Sequence, residues 1–195
     1  SVKEATKPYR IIYGKTRVGG NIVFAETTSN NDFIHLVYVV AAHEVNNITK
    51  IFFNDEEVPL TQDGSDSNGI ARLFPSSGNT FEGKVRIKKH LGLSTQLADA
   101  DLVSDISQWT TDHRIRGKAY IYVRLAFDND VFPSGIPNIT CEVEGKKVFD
   151  PRDSSTAFSS NPALCIRDYL TDTTYGLSCG TSEIDDTSFT SAANT

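Results

Sequence analysis

The eleven residues "FIHLVYVVAAH", positions 33 to 43, constrain the fold more than any other stretch. A strand with one face in water alternates apolar and polar side chains, because successive side chains point to opposite faces. Here the apolar residues occupy both parities, so the reading is a strand covered on both faces by the chain itself or by a partner. A second run, "KAYIYVRLAF" (residues 118–127), is the clearest strand in the chain. Ala119, Ile121, Val123, Leu125 and Phe127 share the parity expected to enter the core. Tyr120, Tyr122 and Arg124 lie on the other, an amphipathic outer face of the kind found at interfaces.

Further strands are expected at "ITKIFFN" and "KVRIKKH", with a tight turn at Asn54-Asp55. In "KVRIKKH" the cations alternate with Val85 and Ile87, the pattern of a solvated face. Ser94 reads as the cap of a short helix through Leu97, Ala98, Leu102 and Val103, with Asp99, Asp101 and Asp105 on its wet side. "NITCEVEGKKVF" (138–149) reads as a hairpin turning at Glu144-Gly145-Lys146, and "DPRDSSTAFSSNP" as a linker. After it, Asn161 caps a helix, Pro162 fills its first turn, and Leu164, Ile166, Tyr169 and Leu170 form the apolar stripe. The closing residues "DDTSFTSAANT" are small and polar. The fold class expected is α+β, predominantly β, with small barrel or sandwich domains and a few short helices.

"IIYGKTRVGG" raises the question of a phosphate-binding loop. That loop requires glycine five places before the glycine of Gly-Lys-Thr and a helix immediately after, so that backbone N–H groups surround the anion. Tyr9 stands at the first place and the strand-like "NIVF" at the second. The reading is therefore a strand, a Gly-rich connection and a second strand, with Lys15 and Arg17 at the turn. "TQDGSDSNG" fails as a calcium loop: with Gly69 at the fixed glycine, Gly64 and Pro75 occupy the first and twelfth ligand places. A solvated turn is expected instead.

Catalytic motifs are missing in the same way. His35 and His43 share a strand but lie roughly 26 Å apart along it. There is no Gly-x-Ser-x-Gly and no His-Glu-x-x-His. Cys141, Cys165 and Cys179 contain no close pair for metal binding, and free thiols from a reducing compartment are expected. No catalytic, cofactor-binding or metal residues are assigned. The formal net charge of -6 argues against nucleic acid, and no apolar run reaches the roughly 20 residues that span a bilayer. The chain has no methionine even at position 1, which fits a piece of a longer protein, an engineered start or processing.

"PYRIIYGKTRVGGNIVF", "VVAAHEVNNITKIFFND", "RGKAYIYVRLAFD", "VEGKKVFDPR" and "SNPALCIRDYLTDTTYGL" resemble, in this order, successive blocks of phage tail-tip hub proteins. These are relatives of the lambda tip attachment protein, also called central tail or host-specificity proteins. The resemblance spans residues 8 to 194. It implies a non-enzymatic structural role at the tail tip of a virion made in the bacterial cytoplasm. The hub would close or extend the tail tube and link it to the host-recognition parts. It also implies other phage tail proteins as partners, and a homotrimer in the full-length protein with a monomer as the fragment. Residues 1–32 and 150–195 are expected to form one discontinuous hub domain, with 33–149 inserted between them. Lys15, Arg17, Tyr120, Tyr122 and Arg124 are the expected subunit-interface residues. Two alternatives remain: a carbohydrate-binding module using exposed Tyr120 and Tyr122, and a cell-wall hydrolase using some pair among 25 acidic residues.

Overall fold

The computed structural model describes residues 8–28 and 30–195. It is 37% strand and 14% helix, so the predominantly β, α+β class is correct. Six antiparallel strands form the larger sheet, in the order β2 (Asn21–Thr27), β3 (Phe33–Ala41), β9 (Ala119–Ala126), β8 (Val85–His90), β7 (Ala71–Pro75) and β6 (Leu60–Ser65). A second sheet has the order β1 (Lys15–Gly19), β10 (Ile139–Glu144), β4 (Asn47–Phe53) and β5 (Glu56–Glu57). One hydrophobic core joins them, drawing Leu36, Tyr38 and Val40 from β3, Ile121, Val123 and Leu125 from β9, and Ile48, Ile51 and Phe53 from β4. Cys141 and Val143 of β10 close it.

The double-sided apolar strand follows from what covers its second face. Val37 and Val39 point away from the sandwich and pack with Tyr120, Tyr122, Leu102, Ile106 and Trp109. Leu102 belongs to α1 (Ala100–Asp105). The six-stranded sheet is thus the middle layer, between the smaller sheet and a short helix with its following loop.

A third, smaller unit pairs β11 (Lys147–Asp150) with β12 (Ser155–Phe158) against α2 (Pro162–Thr171) and α3 (Asp186–Ala193). Asn161 and Pro162 start α2 as expected, the Asn161 side chain accepting from the N–H of Ala163 and Leu164. Of the expected stripe only Leu164 is buried, while Ile166 and Tyr169 are exposed. The residues read as a linker form the β11–β12 hairpin, its turn clamped by Arg152 on Asp150 at 2.7 Å. The polar carboxyl end folds as α3, capped by Asp185.

Two expected hairpins are crossings between sheets. Arg10–Tyr13 is not a strand, and "KTRVG" is one: β1 pairs with β10 while β2, one residue later, pairs with β3. Gly20 makes the step, because a Cβ there would sit 2.7 Å from the Tyr38 Cβ. Likewise β10 pairs with β4 and β11 with β12, and the chain passes between them at Gly145, where a Cβ would lie 2.1 Å from the Ile12 carbonyl oxygen. A glycine-rich step that brings backbones together and one that turns a hairpin look alike in sequence.

The amino-terminal segment is shared between units. Tyr13 packs with Val148 and Leu164 and donates to Asp168 at 2.6 Å, whereas β1 and β2 hydrogen-bond to strands of the segment 33–149.

Candidate functional site

The face of the six-stranded sheet under α1 carries a cluster of buried, paired acids and bases. Cross-strand register fixes its layout on β3, β9 and β8. His35, Arg124 and Arg86 form one row, Val37, Tyr122 and Lys88 the next, and Val39, Tyr120 and His90 the third. Their parity on each strand puts all nine side chains on one face.

Lys88 is wholly buried at the centre, and four acidic side chains descend toward this face from the elements above it. Asp66, in the turn between β6 and β7, binds Lys88 Nζ directly through Oδ2 and accepts the N–H groups of Asn68 (2.8 Å) and Ile70 (2.9 Å) on Oδ1. Asp99 caps α1, accepting from the N–H of Asp101 at 3.1 Å and Leu102 at 3.0 Å. It also binds Lys88 Nζ at 2.9 Å and His90 Nε2 at 2.7 Å. Asp101 takes both arms of Arg72, at 2.9 and 2.6 Å. Asp105 meets Arg86 at 2.8 Å.

Burial raises the carboxyl pKa of Asp99, but the His90 hydrogen bond and the Lys88 charge outweigh it and hold the group below the ordinary range. Asp101 falls to about 2: burial opposes the shift, and Arg72, Lys88 and Arg86 overcome it. Buried charges persist only when paired and hydrogen-bonded, and here each carboxylate has a cation. Arg86 also donates to the Tyr122 hydroxyl at 3.0 Å, which contacts His35 Nδ1 at 2.9 Å. The Tyr120 ring stacks on His90 with centroids 4.2 Å apart.

Several sequence expectations are corrected by this arrangement. The cation strand does not present a wet face: Lys88 has no exposed surface, because α1 and the β6–β7 turn lie over it. Asp99 and Asp101 are buried, and α1 is capped by Asp99 rather than Ser94. Residues 61–65 of "TQDGSDSNG" belong to strand β6, and the turn that follows them holds the buried Asp66. Tyr120 and Tyr122 are fully buried, not exposed, so they offer no stacking platform to a sugar. Phe127 lies past the end of β9 and is 59% exposed.

Lys15 and Arg17 lie on strand β1 rather than at a turn, and both have partners within the chain. Lys15 pairs with Glu142 at 2.9 Å. Arg17 pairs with Asp55 at 2.7 Å, with its guanidinium carbon 3.9 Å from the centre of the Phe52 ring. Arg124 is half-buried at the margin of the α1 face. The expected interface residues therefore fall in two separate places.

As chemistry, the network is a clamp. Asp66 and Asp99 expose no side-chain surface, so neither can touch a polymeric substrate. Among the described residues, no group of three or more His, Cys, Asp or Glu is placed to hold a metal ion. The one signal in the sequence was Arg86-x-Lys88-x-His90, three basic side chains on one parity of a strand.

These features define an antiparallel β sandwich whose larger sheet is clamped on its outer face by buried ion pairs. No family model matches the chain. Among curated proteins it is similar to baseplate hub protein pb3 of Escherichia phage T5, with 25% identity over 219 aligned positions covering 88% of this chain. The match takes in 23% of pb3, so the chain spans less than a quarter of that relative. Among solved structures it overlaps a chain from a virion of a native gene transfer agent particle, at a TM-score of 0.44 and 19% identity. That overlap covers 72% of this chain and 27% of the other, too loose an overlap to bear on function.

Proposed function

We propose that this chain is a structural part of a phage tail-tip hub, in the manner of the lambda-type tip attachment proteins. It helps close or extend the distal end of the tail tube and links it to the host-recognition parts. The observation that carries the reading is the likeness to a baseplate hub protein along 88% of the chain. The α1 face supports it, since the buried acids and bases satisfy one another instead of facing a substrate cleft. So do exposed apolar residues around α2: Ile166 and Leu177 are 55% and 59% exposed, an arrangement suited to subunit contact.

The longer protein assembles as a homotrimer with other phage tail proteins as partners, in the virion, without nucleic-acid contact by this segment. Its residues 1–32 and 150–195 contribute to one hub domain, and Tyr13 on Asp168 is a contact between those two pieces. Lys15, Arg17 and Arg124 are the surface positions of the subunit interface. Mass spectrometry of gradient-purified particles tests this. The reading requires peptides of this chain at a copy number matching the other tail-tip proteins. Their absence from intact particles, with the protein present in the cell, would sink it.

A further inference from the structure

Among the described residues, one member of the His35–Arg124–Arg86 row has no ion-pair partner. Arg86 reaches toward α1 and ends on Asp105 and the Tyr122 hydroxyl. His35 is fully buried with Nδ1 on the same hydroxyl. Arg124 stands between them, in register with both. Its guanidinium carbon lies 4.2 Å from the centre of the Phe33 ring. Among the described residues, no carboxylate pairs with it and no acceptor takes its hydrogen bonds. A neighbour leans the same way: Arg86 Nε, which can only donate, is buried without a hydrogen-bond partner. The two arginines of the row thus hold more donors than the described acceptors take.

A half-buried guanidinium has lost part of its hydration and, among the described residues, gained only the face of the Phe33 ring, while its charge persists at any ordinary pH. The Phe33 ring supports one face of the planar group. A planar fork of donors matches the two oxygens of a carboxylate, giving a short, charge-assisted, bidentate pair. Phosphate oxygens fit the same fork, but the neighbour in an assembled particle is a protein surface, whose anions are carboxylates. A carboxylate on a protein surface is the complement in both charge and shape.

Building on the hub reading, we propose that Arg124 receives an aspartate or glutamate side chain from a neighbouring protein subunit in the assembled particle. The site sits at the margin of the α1 layer. The docking carboxylate therefore meets an arginine already positioned by Phe33 and by the clamp next to it. The contact supplies the acceptor that the described residues do not give Arg124.

The test uses Arg124→Lys in the full-length protein and a water-soluble carbodiimide on purified particles. The reagent joins the lysine nitrogen to a carboxyl carbon in direct contact, and takes up the lost water as it becomes a urea. The expected result is a peptide pair linking residue 124 to an Asp or Glu of another subunit. Cross-links at other lysines between subunits, with residue 124 unjoined or joined only within its own chain, would overturn the assignment.

Arg124→Gln supplies a second reading. Its incorporation should fall about tenfold or more, the loss of one charge-assisted pair, while the isolated variant melts near the parent. Unchanged incorporation would overturn the proposal. So would inorganic phosphate stabilising the parent but not Arg124→Gln, with no inter-subunit cross-link at 124. Absence of the unaltered protein from particles would overturn the hub reading and this one together, which separates the two failures.

Discussion

Lys88 Nζ and Asp99 lie 2.9 Å apart with neither side chain exposed to solvent, at the centre of a sheet face that α1 and the β6–β7 turn close. Asp99 is also the cap of α1, so one carboxylate both starts the helix and fastens it to β8. Removing the cation would leave Asp66 and Asp99 buried without their main partner. Lys88→Met should therefore cost about 3–5 kcal/mol in chemical denaturation, the range for breaking a buried pair on one side. Lys50→Ala removes the exposed pair with Glu57 and should leave the midpoint unchanged within error. Equal effects would show that the clamp contributes no more than surface charge.

Acid should weaken the fold in two stages. Burial lowers the His35 pKa to about 4 from 6.5, with Arg124 and Arg86 acting the same way and Asp105 and Asp99 opposing. The unfolded chain therefore binds that proton first, and stability falls as pH drops from about 6.5 toward 4. Asp101, held at about 2, contributes stability that is present above its ordinary pKa of 3.8 and lost as pH falls through about 2. Urea midpoints measured across this range should decline in both windows, and His35→Gln should reduce the upper decline, the rest coming from His43, whose pKa burial also lowers. A profile flat from pH 6.5 to 4 would contradict the neutral, buried histidine.

Adjacent glycines should behave differently. A Cβ at Gly20 would meet the Tyr38 Cβ at 2.7 Å and the Val39 carbonyl oxygen at 3.2 Å, whereas one at Gly19 meets nothing closer than 3.8 Å. Gly20→Ala should destabilise by about 1–3 kcal/mol through overpacking, and Gly19→Ala should be tolerated. Thermal melts of the two variants decide it.

The apolar surface of α2 should matter to assembly and not to folding. Ile166 and Tyr169 are 55% and 42% exposed. The double variant Ile166→Ser, Tyr169→Ser should match the parent in melting temperature and lose incorporation into particles. Normal incorporation would remove α2 from the interface.

Strand positions were legible in the sequence where hydrophobic pattern alone decides them. β3 and β9 read correctly, and so did the Asn54-Asp55 turn, where both residues adopt positive φ. The α2 start was legible because Asn-Pro signals a cap and first turn locally. Strand partners were not: Gly20 and Gly145 punctuate the chain as hairpin turns do, yet they pass it between sheets. The clamp was hidden for a related reason. Lys88 and Asp99 look solvated because charged residues usually are, and their burial depends on register between β8, the β6–β7 turn and α1. Tyr120 and Tyr122 look like an outer face in the sequence because nothing local announces that Trp109 and Leu102 cover them.

Immunogold electron microscopy with antibodies to this chain, applied to intact phage particles, tests the central claim most directly. The hub account predicts gold confined to the distal end of the tail. Intact particles with accessible tips and no gold there, while the antigen remains in the soluble lysate, would contradict it.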